Sequence, residues 1–368
     1  MQRLKAGFYK LLVQLKLWIK WYFKFRRANR HDPVKAAFGK QLWAFRHGFY
    51  LLTIELCEIT RQNMHEYLPD KLYEEFHPYN NAYSAIIDNK LYLPFLLKDY
   101  PDLVPRYYFF IDKGRLISLD PEGDNYGGLI QLCKNEKRLV LKHCYSTYGQ
   151  GFYLLEWGDG NFYLNKNLIN ETSLYNLIAS LDNYLVTEFI LQHKYSSDIN
   201  STSVNTVRLF CLWDFDRQEF FIPRSFHRFG AKGTFVDNIG GSDRAYVVFI
   251  DVPAGRTKNY GIVKMNKKKI IRSIVKNHPD SLMKIDNLEI PNWHEMIKYI
   301  LLIMNRYSFL KHAGLDIVIT DKGFKILEIN SLPSLFLIQV EEGLLKDERI
   351  RKFYFDKMDL NARFYATH

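Results

Sequence analysis

The chain has 368 residues, 47% hydrophobic and 16% aromatic, with a formal net charge of +11. That length and apolar fraction support a sizeable buried core in two or three subdomains and exclude a disordered tail. Its four cysteines, Cys57, Cys133, Cys144 and Cys211, form no C-x-x-C pair and no dense array, which excludes a disulfide framework and predicts reduced thiols in a cytoplasmic setting.

The charge excess is local. Residues 1 to 30 hold nine basic side chains and no acid, leaving 42 basic against 40 acidic residues in the rest of the chain. On a helical wheel Leu4, Phe8, Leu11, Leu15, Trp18, Ile19, Tyr22 and Phe25 make one apolar face, with Lys5, Lys16, Lys20, Lys24 and Arg27 opposite. Lysines at 16, 20 and 24 interrupt the apolar run and no small-residue cleavage site follows, which argues against a spanning helix and a secretory signal. The pattern suits a helix lying on an anionic membrane surface at the inner face of the membrane. Docking on the protein's own body, or an oligomer contact, are the alternatives. Nucleic acid is not an expected partner, because the remaining chain has no basic stripe and no binding motif.

His31-Asp32-Pro33 closes the basic segment. Two helical patterns follow, Val34 to Glu66 and Asp70 to Leu97. Short β-type runs come next at Tyr107 to Ile111, Leu139 to His143, Phe152 to Glu156 and Tyr184 to Ile190, with a helical stretch around Glu171 to Leu181. Strands are predicted again at Ser203 to Trp213, Phe220 to Pro223 and Tyr246 to Ile250. A lysine-rich connection (Lys264 to Lys276), a helix near Trp293 to Lys311 and a hairpin over 314 to 330 come next. The class is α+β, with no internal repeat and no long linker.

The closing hairpin carries the sharpest chemical signal. Asp321-Lys322-Gly323 reads as a three-residue loop with Gly at the left-handed position, so Thr320 pairs with Phe324. Counting outward places Asp316 opposite Glu328, with Asn330 on the same face, while Leu315, Ile317, Ile319, Leu327 and Ile329 face a core. Opposed like charges destabilise a ladder, so the pair makes sense with a divalent cation between the two acids; an ordinary surface hairpin whose acids splay into water is the alternative, and other segments must decide. A second segment, Arg138 to Leu155, sets Lys142 on a strand before the small and polar loop Ser146-Thr147-Tyr148-Gly149-Gln150-Gly151. Glycines there let backbone N–H groups approach a phosphate, and a strand-held lysine adds a fixed positive charge, although an ordinary hairpin turn with an exposed lysine has the same pattern.

Lysine strand, glycine loop, the Val186-Thr-Glu-Phe-Ile190 strand with Gln192-His193, Ser203-Val-Asn-Thr-Val-Arg208, Val236-Asp-Asn-Ile-Gly-Gly241, and Gly314-Leu-Asp316 with Leu327-Glu-Ile-Asn-Ser331 follow one another in the order seen in the ATP-grasp superfamily. The chain resembles most closely its sugar-transfer-associated group, related to α-L-glutamate ligases, over about residues 89 to 340. The resemblance implies an ATP-grasp fold, two α+β subdomains gripping ATP, and the helical patterns place a helical N-terminal region before it. The expected parts are a basic amphipathic helix over 1–33 as a membrane-surface anchor, a helical region over 34–100, a first lobe with the glycine-rich lid over 101–200, and a second lobe with the metal site over 201–368.

It further implies ATP and Mg2+ as cofactors. Lys142 would contact the ATP phosphates beneath the lid formed by Ser146, Thr147, Tyr148, Gly149 and Gly151. Glu188, Phe189 and Ile190 would form the adenine hinge, with His193 nearby, and Asp316, Glu328 and Asn330 would be the magnesium ligands. Arg208 resembles the arginine that neutralises charge on the transferring phosphoryl group, and Asn238, Gly240 and Gly241 resemble the substrate-side loop. Arg224 and Arg228 are candidates for holding an anionic acceptor.

Two departures stand out. Gly314-Leu315 occupies the place where amino-acid ligases of this fold often carry an arginine, so that charge must come from elsewhere, with Arg208 the candidate. Ser331-Leu332-Pro333-Ser334 replaces the more usual glycine-containing turn.

The expected activity is an ATP-dependent carboxylate–amine ligase working through an acyl phosphate on a sugar acid or amino acid in surface polysaccharide biosynthesis. A kinase acting on a sugar hydroxyl is the alternative and would need a general base, for which His193 and His227 are the candidates. A non-catalytic nucleotide-binding scaffold at the membrane is a third reading.

Overall fold

The apolar residues at the start of the chain are spaced for a helix, and Gln2–His31 form one. The structure, a computed structural model, describes residues 2–31, 34–119, 125–145, 151–237, 244–266 and 269–357. It divides into two units, one of residues 1–77 with 334–368 and one of residues 78–333.

In the first unit the long helix buries Trp21 and Phe25. Trp21 Nε1 donates to the Phe45 carbonyl at 3.0 Å, and its ring lies against Phe45 and Tyr50. Trp21 was absent from the predicted apolar face, whereas Leu15, Ile19 and Tyr22, which belong to it, are exposed. The predicted pattern from Val34 to Glu66 is broken into helices Phe38–His47 and Leu51–Leu56. The break falls at Gly48, whose φ of 78° ends the first of them. The second pattern stops at Phe76 because His77 precedes Pro78 and turns extended. Residues after Ser334 join this unit, where Gln339 exchanges two hydrogen bonds with the backbone of Leu68.

The second unit holds two antiparallel seven-stranded sheets. The first contains β1 (Tyr107–Asp112), β2 (Arg115–Ser118), β3 (Arg138–His143), β4 (Tyr153–Gly158), β5 (Asn161–Leu164), β6 (Asn167–Ile169) and β7 (Tyr184–Glu188), in the order β2-β1-β7-β3-β4-β5-β6. Leu139, Leu141, Leu155 and Val186 point from it onto Leu129 and Cys133 of helix Asn125–Glu136 and Leu174 and Ile178 of helix Glu171–Ser180. The second contains β8 (Val207–Asp214), β9 (Glu219–Gly230), β10 (Ala245–Asp251), β11 (Arg256–Asn266), β12 (Lys269–Ile274), β13 (His312–Thr320) and β14 (Gly323–Asn330), in the order β12-β11-β10-β9-β8-β13-β14. Helix Trp293–Arg306 lies against β9 with Met296, Ile300, Ile303 and Met304 buried.

Three expectations are corrected. The lysine-rich segment is no connection but the β11–β12 hairpin at a sheet edge, where lysines discourage pairing with another chain. Strand β9 continues past Pro223 to Gly230, because the proline sits at a bulge opposite Cys211, where its missing N–H costs no ladder bond. The closing hairpin turns on two residues, pairing Thr320 with Gly323. A bulge at Leu327 then restores the predicted Asp316–Glu328 pair, with Gly314 opposite Asn330 beyond it. The bulge puts Ile326 rather than Leu327 into the core. All four cysteines are buried and none is in a disulfide, and burial pushes the Cys144 thiol up to about 11, far from the reactive range.

Candidate active site

Arg208, Asp316 and Glu328 sit directly opposite one another on the neighbouring strands β8, β13 and β14. Asp316 is 3% exposed and receives Nε of Arg208 on Oδ1 and Nη2 of Arg208 on Oδ2, the latter at 2.8 Å, while Arg228 Nη2 pairs with the same Oδ2 at 2.8 Å. Burial alone would raise this carboxyl. The two guanidinium groups overcome it and hold Asp316 well below the usual carboxylate range. Glu328 is more open and pairs with Lys90 Nζ at 3.1 Å. It also accepts the Asn330 amide at 3.1 Å and lies 4.0 Å from Arg208. The repulsion expected between the two acids is therefore answered by the chain's own cations.

Gly314 explains where the arginine comes from. A Cβ there would sit 3.3 Å from Arg208 Cδ and Nη1 and 2.9 Å from Pro333, so the glycine leaves room for a guanidinium supplied from β8. Arg208 is consequently buried behind Asp316. Arg228 reaches the cleft, where both its Nε (2.8 Å) and its Nη2 (2.6 Å) donate to the Thr206 hydroxyl. Thr206 passes the charge pattern on, since its N–H and hydroxyl both donate to Asp237, at 2.8 and 2.6 Å. Asp237 also lies 3.6 Å from Arg228 Nε. Burial opposes the charge of Arg228, but Asp237 and Asp316 keep it protonated and raise its pKa.

These groups form one wall of a cleft of about 180 Å3 lying between the two sheets of the second unit. Lys142 on β3 enters from the opposite side, over the ring of Tyr107 at 5.3 Å, and Lys90 lies beside Glu328. Burial, reinforced by the charge of Lys90, pushes Lys142 down to about 8. Two lysines and an arginine thus converge on one space with Glu328 and Asp316, an arrangement suited to a polyanion accompanied by a hard cation. Among the described residues no group of three or more His, Cys, Asp or Glu side chains is placed to hold a metal. The oxygen donors available are Glu328, with Asn330 beside it and Asp316 opposite, and they are of the type that Mg2+ takes.

Elsewhere in the cleft Val140, Phe152, Leu154 and Leu327 make an apolar slot beside Glu188, Phe189 and Ile190. Strand β7 ends at Glu188, and Phe189 and Ile190 line the cleft just beyond it. The Glu188 side chain accepts the Arg106 N–H at 3.0 Å and pairs with Lys325 Nζ at 2.6 Å, and Lys325 also donates to the Val104 carbonyl at 2.9 Å. This ties β14 to β7. The guanidinium of Arg138 covers Phe189 at 4.2 Å.

Not every predicted residue comes to this place. His193 does not line the cleft; its N–H donates to the Ile319 carbonyl at 2.8 Å, and its Nδ1 accepts the Tyr195 N–H at 3.0 Å. His227 is fully buried. Its Nδ1 lies 3.1 Å from the Arg228 carbonyl, which can only accept, so Nδ1 donates and Nε2 accepts the Tyr195 hydroxyl at 2.7 Å. Burial pushes this imidazole down to about 3, and it is neutral. Arg224 donates to the Pro223 carbonyl at 2.9 Å and lies away from the cleft lining. Gly151 has a φ of 70° and lies against the Tyr184 hydroxyl, where no side chain fits. Ser146, Thr147, Tyr148 and Gly149 of the lid, and Asn238, Gly240 and Gly241, lie outside the described residues.

Lys90 is the residue that sequence reasoning missed. It stands in a short-helix region with no glycine or strand signal, held by Asn89, whose side chain caps Leu91 and donates to the Tyr145 hydroxyl. The preceding Asp88 accepts both the N–H and the hydroxyl of Ser331, at 2.7 and 2.6 Å, and so fixes this segment against the turn after Asn330. The unusual Ser331 is thus a docking point for the Lys90 segment.

Comparison with solved structures finds several enzymes. The chain is 14% identical to the D-alanine–D-alanine ligase of Bacillus anthracis, covering 76% of this chain and 67% of that one with a TM-score of 0.37. It is 14% identical to the VanG D-Ala:D-Ser ligase of Enterococcus faecalis (73% and 61%, TM-score 0.40). It is 9% identical to the biotin carboxylase domain of the Hydrogenobacter thermophilus 2-oxoglutarate carboxylase (73% and 45%, TM-score 0.36). The chain spans about two thirds or less of the length of these proteins. A search of curated proteins finds no match. The family model described as sugar-transfer associated ATP-grasp matches residues 71–352, which contain every described residue of the cleft, and the chain belongs to that family.

Proposed function

We propose that this chain is an ATP-dependent carboxylate–amine ligase whose acceptor is an anionic sugar acid or amino acid used in building a surface polysaccharide. The observation that carries the reading is the convergence of Lys90, Lys142 and Arg228 on a cleft that neither His193 nor His227 lines. An ionised carboxylate attacks phosphorus without surrendering a proton, so it needs cations and alignment but no base. A sugar hydroxyl needs a base.

In the proposed reaction an acceptor carboxylate oxygen bonds to the γ-phosphorus of ATP as the bond to the β-bridging oxygen breaks, giving ADP and an acyl phosphate. An amine then adds to the acyl carbon, phosphate leaves, and the nitrogen loses a proton, giving an amide. Lys142 and Lys90 bind and orient the polyphosphate, and Arg228 meets the negative charge of the acceptor or of the transferring group. Arg208 is a positioning residue that holds Asp316. Glu328 and Asn330, with Asp316 opposite, would hold Mg2+, which shields the charge of the polyphosphate. The apolar slot beside Glu188 to Ile190 takes the adenine.

The test is incubation with Mg2+ and ATP and a panel of uronic acids and amino acids, following ADP, AMP and phosphate. ADP with free phosphate, dependent on both an acid and an amine, supports the ligase. ADP with phosphate retained on the sugar would make it a kinase, and AMP would contradict both.

A further inference from the structure

The helix Gln2–His31 has two apolar faces, and only one of them is used within its unit. Trp21 and Phe25 pack inward on Phe45 and Tyr50. On the opposite side, Leu12, Leu15, Ile19 and Phe23 recur at spacings of three and four and form a stripe turned outward. Ile19 is 48% and Phe23 65% exposed, whereas large apolar side chains singly exposed on a surface do not ordinarily line up along a helix. Lys16, Lys20 and Arg27 are exposed along the flank of the stripe, and Arg26 and Arg30 stand at its C-terminal end. In the same unit Phe38, 79% exposed, opens the next helix.

We infer that this outward face is a docking surface for an anionic lipid membrane, on which the helix lies flat. Charge complementarity selects the occupant. Residues 1 to 30 carry nine basic side chains and no acid, and Lys16, Lys20, Arg26, Arg27 and Arg30 are exposed beside the stripe, so the same face of a second copy would bring like charges against them. An anionic lipid surface offers an apolar layer for the stripe and negative headgroups for the flanking lysines. No helix among the described residues is long and apolar enough to cross a membrane, so the mode is interfacial. The inward face remains buried while the outward one engages lipid, so packing on the protein's own body and binding to a membrane are compatible in this helix.

The test is co-sedimentation of the full chain with vesicles of phosphatidylcholine alone or of phosphatidylcholine with phosphatidylglycerol. Binding is expected to the anionic vesicles, to weaken as salt is raised well above ~0.1 M, and to leave a salt-resistant remainder from the apolar stripe. Ile19→Ser with Phe23→Ser should weaken binding by about tenfold or more, with no change in thermal unfolding, because neither side chain is buried. Lys16→Glu with Lys20→Glu should remove most of the salt-sensitive part. Failure of the full chain to bind the anionic vesicles, or equal binding by the serine variant, would overturn the proposal. Concentration-dependent self-association that the serine variant abolishes, without vesicle binding, would assign the face to a second copy instead.

Discussion

Replacing Asp316 with Asn removes the one carboxylate that two buried guanidinium groups share. Among the described residues Arg208 would keep the charge of Glu328, 4.0 Å away, whereas Arg228 would keep the Thr206 hydroxyl and Asp237 at 3.6 Å. Breaking a buried ion pair by removing one partner costs about 3–5 kcal/mol, since the remaining charge stays out of water. The amide oxygen of Asn still accepts one hydrogen bond, so a loss of about 3 kcal/mol is expected, equivalent to roughly 6–12 °C for a unit of this size. Thermal and urea unfolding at neutral pH measure it. The sign of the pH dependence is fixed as well. Because the folded pKa of Asp316 is depressed, its contribution is present above the unfolded value of about 3.9 and is lost as pH falls below that towards the folded pKa. Asp316→Asn should therefore flatten the acid limb of the stability profile. A variant as stable as the parent at pH 7, with an unchanged acid limb, would refute the claim that the carboxylate is what holds both arginines.

Glu328→Gln should behave differently, abolishing ATP turnover while changing stability by no more than about 1 kcal/mol, because this side chain is partly open and its ion pair with Lys90 is semi-exposed; a large drop in unfolding temperature would contradict that. Lys142→Ala should weaken ATP more than adenosine in a calorimetric titration, and equal losses would make Lys142 merely structural. Since burial and the charge of Lys90 push the Lys142 pKa down to about 8, ATP affinity should decline as pH rises through that value, with adenosine affinity flat, and Lys142→Arg should remove the dependence. Lys90→Met should also weaken ATP. Unaltered binding would reject the role assigned to this lysine.

The sequence made the acid pair legible because strand register follows from turn chemistry and the alternation of faces. Even so, Asp316 and Glu328 came opposite each other through a tighter turn and a compensating bulge at Leu327, a pair of errors that cancel in the count. Lys142 was legible from its strand and the glycines beyond it. What was not legible depended on tertiary packing. Nothing local says that Arg208 folds over Gly314 onto Asp316, leaving Arg228 to reach the cleft, or that Asp88 brings Lys90 to Glu328 by binding Ser331. The lysines of β11 and β12 hid two strands because an edge strand has the composition of a loop. The helical patterns before residue 97 ran together on periodicity, and Gly48 and Pro78 were the punctuation that divides them.

The central claim is that a carboxylate takes the γ-phosphoryl group, and isotope transfer tests it most directly. An acceptor acid carrying 18O in its carboxylate is supplied with ATP, Mg2+ and the amine, and the released phosphate is weighed by mass spectrometry. Attack by the carboxylate followed by amide formation carries one labelled oxygen from each acid into the phosphate, with ADP as the other product. Unlabelled phosphate, or a phosphoryl group retained on a sugar hydroxyl, would contradict the account.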